Sequence, residues 1–380
     1  MAGIGVDRLG AAADELAARD PSVLRLENLD TDVPPPAAAV AATRERAGAD
    51  DANSYLPFVG QARLRRGIAA LVTRCAGIPI DWSSQVIVTA GGLNGLLVTL
   101  LAVLDPGDEV ILTDPTYVGM INRVWLAGGV PRLVPFTPGT DGWRLDLDAL
   151  RRAVSPRTRA FCVMSPSMPS GAVLDRAEWQ AVADACRETD AWLLYNAAME
   201  RIVYDGRPLI QPASLPGMAE RTITVGSVSK EYRMIGWRVG WVVGPAPVMR
   251  DVALVAISDV VTPVGIAQQA AAAAVEGPDD DVRRAVREWE RRRDALVEEL
   301  DGLPVVRPHG GWSLLLRTAN HGLSGEAASQ RLLERGRIAA TPMTGWGDAH
   351  GADYVRFVFS NEPVERLEGI GARVRRAMGV

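Results

Sequence analysis

The stretch Val225–Pro245 reads VGSVSKEYRMIGWRVGWVVGP, and the rest of the chain is organised around it. Ser227 and Ser229 lead into Lys230, and the turn and apolar run from Gly236 onward set Arg238 among apolar neighbours. A lysine among small and apolar residues is held partly out of water, which lowers its pKa and frees its amine to act as nucleophile or base. An aldehyde is the natural partner of such an amine. Hydroxyls and a planar guanidinium beside it are good phosphate donors. Taken alone, the stretch also suits a surface loop lysine next to a strand-end arginine, so its neighbours must decide.

Upstream, QVIVTAGGLNGLLVTLLAVLDPGDEVILTDPTYVGM (85–120) gives a strand, a loop, a helix, a turn and a strand. Val86–Val88 is β-branched, Gly91-Gly92 allows tight entry into the apolar helix Leu93–Leu104, Pro106-Gly107 turns, and Val110–Leu112 is the next strand. A glycine-containing strand-to-helix junction exposes unpaired N–H groups at the positive end of a helix, which suits a phosphate or an ordinary turn. The alternation continues with strands at Val130–Val134, Thr158–Met164, Ala191–Tyr195, Thr222–Val225 and Val239–Val243, and helices at Leu147–Val154 and Arg176–Glu188. Such alternation predicts an α/β three-layer sandwich with a mostly parallel sheet, whose ligands sit at the carboxyl ends of the strands. Gly91-Gly92, Tyr117, Ser165–Gly171, Asn196 and Ser227–Lys230 fall on that side.

Residues 1 to about 19 have the spacing of a short amphipathic helix, and the PPP at 34–36 stops regular structure before a helix near Ala37. We assign residues 1–45 to an N-terminal arm belonging to a small domain, 46–260 to a large domain, and 261–380 to the small α+β domain. In the latter, a helix covers Ile266–Val275 and the charged run 282–300 is a long helix with a solvated face. Val305-Val306, Gly311–Leu316 and Tyr354–Val358 read as strands, and a terminal helix runs from Pro363 to Met378. Asp30 and Asp32, beside prolines, read as turn formers.

The 380 residues suffice for two domains, and a hydrophobic content of 48% with 23% charged residues is ordinary for a soluble fold. A net charge of −5 without long blocks argues against nucleic acid and anionic membrane as partners. Cys75, Cys162 and Cys186 are far apart and read as reduced core residues, and His309, His321 and His350 are scattered, so no metal site is expected. No apolar run spans a membrane and no signal peptide is indicated, which predicts a cytoplasmic protein.

Together these stretches resemble the fold-type I pyridoxal-phosphate enzymes of the class I/II aminotransferase family, from NSYLPFVG (53–60) to YVRFVFS (354–360). The resemblance implies a seven-stranded, mostly parallel sheet, pyridoxal 5′-phosphate as cofactor, and a homodimer with shared active sites. It implies that Lys230 forms the Schiff base and moves the substrate proton. Ser227, Ser229 and Arg238 would bind cofactor, the phosphate being helped by N–H groups of Gly91, Gly92 and Leu93. Tyr55 matches a tyrosine that reaches the neighbouring subunit's phosphate, Tyr117 the residue stacked on the ring, and Arg356 the arginine that grips the substrate α-carboxylate.

Three positions depart from the family's pattern. Asn196 stands where an aspartate is usual against the ring nitrogen, and Met168 and Met199 stand where an asparagine and a tyrosine usually donate to the phenolic oxygen. A neutral amide cannot supply a carboxylate's Coulomb stabilisation, although it can hydrogen-bond to a ring nitrogen in either protonation state. Neither Asp190 nor Glu200 is placed to substitute. The expected activity is transamination of an L-amino acid. Alternatives are another pyridoxal-phosphate reaction, namely racemisation, elimination, decarboxylation or an oxygen-using oxidation, and a non-catalytic binding module. Which amino acid is taken is not written in these motifs.

Overall fold

The computed structural model describes residues 6–349 and 351–380. Its strands, in chain order, are β1 (Leu24–Arg25), β2 (Val86–Thr89), β3 (Glu109–Asp114), β4 (Val130–Gly139), β5 (Gly142–Leu145), β6 (Thr158–Met164), β7 (Trp192–Asn196), β8 (Thr222–Ser227), β9 (Gly240–Val243), β10 (Ser313–Arg317), β11 (Ile338–Ala339), β12 (Thr341–Pro342) and β13 (Tyr354–Val358). Eight of them form one sheet in the order β2-β9-β8-β7-β6-β3-β4-β5. The seven-stranded sheet is therefore present, with the short β5 added at one edge by a hairpin from β4. Pairing is parallel from β8 through β7, β6 and β3 to β4, and antiparallel where β9 joins β8 and β2. β-branched and apolar runs such as VIVT and TRAFCVM are buried almost throughout, as a sheet covered on both faces requires.

Because the central strands run the same way, Asp114, Met164, Asn196 and Ser227 finish at one edge of the sheet. Asn196 pairs in register with Met164 of β6 and Val225 of β8. A smaller sheet has the order β10-β13-β12, with Arg356 in register between Leu315 and Thr341. The N-terminal segment contacts this part of the chain: β1 pairs with β11, and the Leu26 carbonyl accepts from the N–H of Val358. Further along, helix Gly265–Val275 packs against helices Ala37–Arg46 and Ala62–Ala76.

Several expectations are corrected. The initial helix runs from Val6 to Ala17, and the first five residues of the expected span, like His350, lie outside the described residues. The terminal helix is two helices, Val364–Leu367 and Ile370–Met378, because Gly369 adopts φ +75° and the Glu299 carboxylate takes the N–H groups of Gly369 and Gly371. Only a single bridge, Val305 to Leu316, stands where Val305-Val306 reads as a strand. The charged helix spans Asp279–Glu299, and part of its charge run is buried rather than solvated. Arg293 is fully covered, bonded to both Asp205 oxygens at 2.9 and 2.8 Å and to the Pro308 carbonyl, with Tyr204 beneath its guanidinium. Arg292 bonds the carboxylate of Asp32 at 2.6 Å, which gives that aspartate a structural role. Helix Ala246–Asp259 has no counterpart in the sequence reading. Pro245 and Pro247 look like breakers there, yet they occupy the cap and first turn, where a missing N–H costs nothing.

Candidate active site

The carboxyl edge of the large sheet opens onto a cavity of about 320 Å³. Its chemistry starts where β8 ends. After Ser227 the chain folds back on itself, with the N–H of Val228 on Val239 O, that of Met234 on Val228 O, and that of Arg233, at φ +56°, on Lys230 O. This closed loop aims Lys230 into the cavity, where Nζ donates to Leu29 O at 2.9 Å and lies 5.0 Å from the ring centre of Trp312. Burial brings the amine down to about 8 from its usual 10.5; Asp30 opposes the change, while Arg356 and Arg238 add to it.

Beside the lysine, the backbone has been cleared. Gly91, at φ +92°, caps the twelve-residue helix Gly92–Val103, and a Cβ there would sit 2.6 Å from Nη2 of Arg238. A Cβ on Gly240 would meet the backbone of Gly91 and Gly92 at 2.4 and 2.5 Å, so β9 approaches the helix start as closely as glycine allows. Ser227 faces Gly92, and its Oγ accepts from the N–H of Ser229. Unpaired helix-start N–H groups, hydroxyls and an exposed guanidinium thus converge, an arrangement whose chemistry could hold a phosphate dianion.

On the other side, β13 carries Arg356 into the cavity wall, 2% exposed. Nη2 donates to the Glu27 carbonyl and, at 3.2 Å, to Thr341 Oγ1, while Nη1 meets the sulfur of Met168 at 3.5 Å and Nε has no partner. Burial lowers this group to about 10, so it remains charged at neutral pH. Its guanidinium lies 4.9 Å from the ring centre of Trp346, which also meets the edge of Tyr117 at 5.4 Å. The position of Trp346 is fixed through its loop: the N–H of Thr116 donates to Trp346 O, and Asp114 accepts from the N–H groups of Asp348 and Ala349 at 2.8 Å each. Tyr117 lies over Gly119, where a Cβ would come within 2.3 Å of its ring.

The floor is formed by strand ends. Asn196, 6% exposed, accepts the N–H of Ala198 on Oδ1 at 3.2 Å and directs Nδ2 at the sulfur of Met120, 3.7 Å away. Met164, Met168 and Met199 complete it with apolar, polarisable surface. Of the residues singled out in the sequence, Gly92, Leu93, Tyr117, Asn196, Ser227 and Ser229 line the cavity, as do Lys230, Arg238, Arg356, Met168 and Met199. Gly91 adjoins it. Tyr55 does not: it is 81% exposed. Glu200 lies behind the floor, bonded to Gln211, and burial together with the nearby Glu231 pushes its carboxyl above the usual carboxylate range.

Met120, Met164, Ala198 and Ile235 also line the cavity and escaped the sequence reading, and Leu29 joins them where the arm crosses. Met120 had a usable signal, since it lies one helical turn beyond Tyr117.

A family model described as "Aminotransferase class I and II" matches residues 23–368. The chain is 35% identical to arginine–pyruvate transaminase of Pseudomonas aeruginosa over 90% of its own length and 87% of the relative's. It is 34% identical to aromatic-amino-acid aminotransferase 2 of Thermococcus litoralis, covering 85% and 84%. Among solved structures, Thermus thermophilus aspartate aminotransferase with maleate superposes with a TM-score of 0.90 at 32% identity, over 99% of this chain and 97% of that one.

Proposed function

The chain belongs to the class I and II aminotransferases and is a pyridoxal-phosphate-dependent aminotransferase acting on amino acids, and from that premise we propose how its own residues divide the work. The observation that carries the proposal is the meeting of three chemistries in one cavity: the phosphate cradle, the amine of Lys230 and the guanidinium of Arg356.

The cavity fits the cofactor. Gly91 and Gly240 keep the helix start bare where side chains would fill it, and about 320 Å³ is the scale of a small-ligand site. Gly91, Gly92, Leu93, Ser227 and Arg238 would hold the phosphate and Lys230 the aldehyde carbon, with Ser229 beside them. Tyr117 would cover the ring and Asn196, Met168 and Met199 would face its edges. When bound, pyridoxal phosphate supplies a carbonyl that condenses with amines and a ring that accepts electron density.

The remaining work falls to side chains. Arg356 binds the substrate α-carboxylate, using its unpartnered Nε together with an Nη group. Being held there, the substrate directs its Cα–H toward Lys230. With its proton affinity lowered to about 8, Lys230 is partly neutral near physiological pH and takes the Cα proton, then carries it as the ammonium for redelivery. Leu29, Trp346 and the methionines exclude water. The wall left for the side chain includes Leu29, Ile235, Met168 and Trp346 and no carboxylate among the described residues, which supports aliphatic and aromatic L-amino acids over cationic ones.

The proposal includes a homodimer in the cytoplasm. Tyr55, Phe58, Leu254, Val261 and Val264 are exposed apolar residues. They gather because Gly265 seats against the 52–56 loop and Asn94 ties helix Gly92–Val103 to Asp259 at 2.6 Å. This face adjoins the phosphate cradle, so a second copy covering it would bring Tyr55 to the neighbouring cavity. Among the described residues no helix is long and apolar enough to cross a membrane, and the three cysteines are free.

The test is to incubate the loaded protein with a panel of L-amino acids, with and without a 2-oxo acid acceptor. Sustained 2-oxo acid release that requires the acceptor, strongest with apolar side chains and abolished in Lys230→Ala, is expected. Product formed equally without an acceptor would refute the assignment, and preference for arginine would refute the side-chain class.

A further inference from the structure

The amide of Asn196 has two chemically opposite ends, and its neighbours decide which one faces the cavity. Oδ1 accepts the N–H of Ala198 at 3.2 Å. Turning the amide over would set its NH₂ group against that N–H, donor against donor, so the carbonyl end is committed to the backbone. The NH₂ group meets only the thioether of Met120, at 3.7 Å, and that sulfur is a weak acceptor already approached by Thr116 Oγ1 at 3.8 Å. Asn196 therefore has its carbonyl end held by the backbone and a weakly paired N–H donor left to offer the cavity.

The charged surroundings point the same way. Lys230, Arg238 and Arg356 line the cavity, and no carboxylate among the described residues does. A further positive charge on the floor would lack an anionic partner there. In pyridoxal phosphate the ring nitrogen is para to the aldehyde-bearing carbon, and the phosphate arm is on the carbon beside it. With the phosphate at Gly92 and Ser227 and the aldehyde carbon at Lys230, the nitrogen would be carried away from the lysine. Asn196, one strand over from Ser227 in the sheet and lining the same cavity, would face it.

We propose that Asn196 donates a hydrogen bond to the pyridine nitrogen of bound pyridoxal phosphate and holds that nitrogen unprotonated. This rests on the cofactor reading of the site and deepens it. A pyridinium would offer a donor to a donor, whereas an aspartate in the same place would accept from it. The positioning of the amide by Ala198 thus sets the electronic state of the ring.

The experiment is ¹⁵N NMR of the protein loaded with pyridoxal phosphate enriched at the ring nitrogen, with neutral and N-protonated free cofactor as references. The wild-type resonance is expected at the neutral reference, and that of Asn196→Asp shifted upfield to the protonated one. Met120→Leu, which removes the sulfur and leaves the Ala198 anchor, is expected to stay at the neutral reference. A wild-type resonance at the protonated reference overturns the proposal, and this measurement decides even if a variant fails to fold. Absence of cofactor absorbance on the purified protein after incubation would instead overturn the reading of the site, so the two failures are distinguishable.

Discussion

Replacing Arg356 by lysine isolates carboxylate recognition from charge. The native guanidinium is buried in β13, steadied by the Glu27 carbonyl, Thr341 Oγ1 and the face of Trp346, and it has Nε uncommitted. A carboxylate held by two donors of a planar fork loses at least one of them to lysine, whose ammonium is a point donor on a flexible stem. One hydrogen bond to a charged group contributes about 1.5–3 kcal/mol. At about 1.4 kcal/mol per factor of ten, Arg356→Lys should lower kcat/KM for L-amino acids by about 10- to 150-fold. The contacts to Glu27, Thr341 and Trp346 are internal to the protein, so their loss registers in thermal stability.

The assay that separates the two is a comparison of substrates. An L-amino acid and the corresponding primary amine without the carboxylate are reacted with loaded wild-type protein and with Arg356→Lys, following the half-reaction by absorbance. The amino acid should lose its advantage over the amine in the variant, while the slow rate with the amine hardly changes. Equal losses for both compounds would refute the reasoning, because they would show that the arginine supports the cavity and does not grip the carboxylate.

Gly91→Ala should weaken cofactor binding at least tenfold, on the order of 1.4 kcal/mol, because its Cβ would lie 2.6 Å from the Arg238 guanidinium on a backbone at φ +92°; unchanged affinity in a fluorescence titration would count against the cradle. Attachment of pyridoxal phosphate to the cofactor-free protein should speed up as pH rises through about 8, where Lys230 loses its proton, and then level off; a stopped-flow rate independent of pH across that range would contradict it. The sign carries to stability: the unfolded chain keeps this proton up to about 10.5, so the cofactor-free fold gains stability between about 8 and 10.5 and forgoes it at lower pH. Arg293→Ala should cost about 1.5–3 kcal/mol in denaturant unfolding, since it removes the charge-assisted bonds that a covered guanidinium makes to the partly exposed Asp205 and to the Pro308 carbonyl. A loss below 1 kcal/mol would show that the helix face is solvated after all.

The sheet was legible because strands buried on both faces carry their signal locally, in runs such as TRAFCVM and WLLYN. Much of the site was legible for a related reason: Gly91, Asn196, Ser227 and Lys230 each sit at a strand end, where a hydrophobic run gives way to small or polar residues. Charge patterning failed at Arg292 and Arg293, because a run alternating with acids looks solvated until the fold supplies Asp205 and Asp32 from distant segments. Proline hid helix Ala246–Asp259 by standing at its start. Trp346 carries no local signal, since the contacts that place it come from Thr116 and Asp114, far away in sequence.

The N-terminal arm shows why local reading stops where it does. Its side chains are unremarkable in sequence, yet its carbonyls reach both working cations: Glu27 O takes a donor of Arg356, and Leu29 O takes the proton-bearing end of Lys230. Thr341 Oγ1 and Arg233 bond the arm at Glu27 and Pro34, Trp289 Nε1 bonds Thr31, and Ser360 Oγ bonds Asp30 O. A backbone carbonyl is a neutral acceptor, so it can steady a buried cation without cancelling its charge, as a carboxylate would. That distinction matters for both residues. In the proposed mechanism Lys230 loses its proton near neutral pH, and Arg356 keeps enough positive field to hold an anion. A carboxylate in place of either carbonyl would raise the lysine's proton affinity or occupy the arginine. The arm thus meets both cations through main-chain oxygens, a contact that no residue type in its sequence could announce.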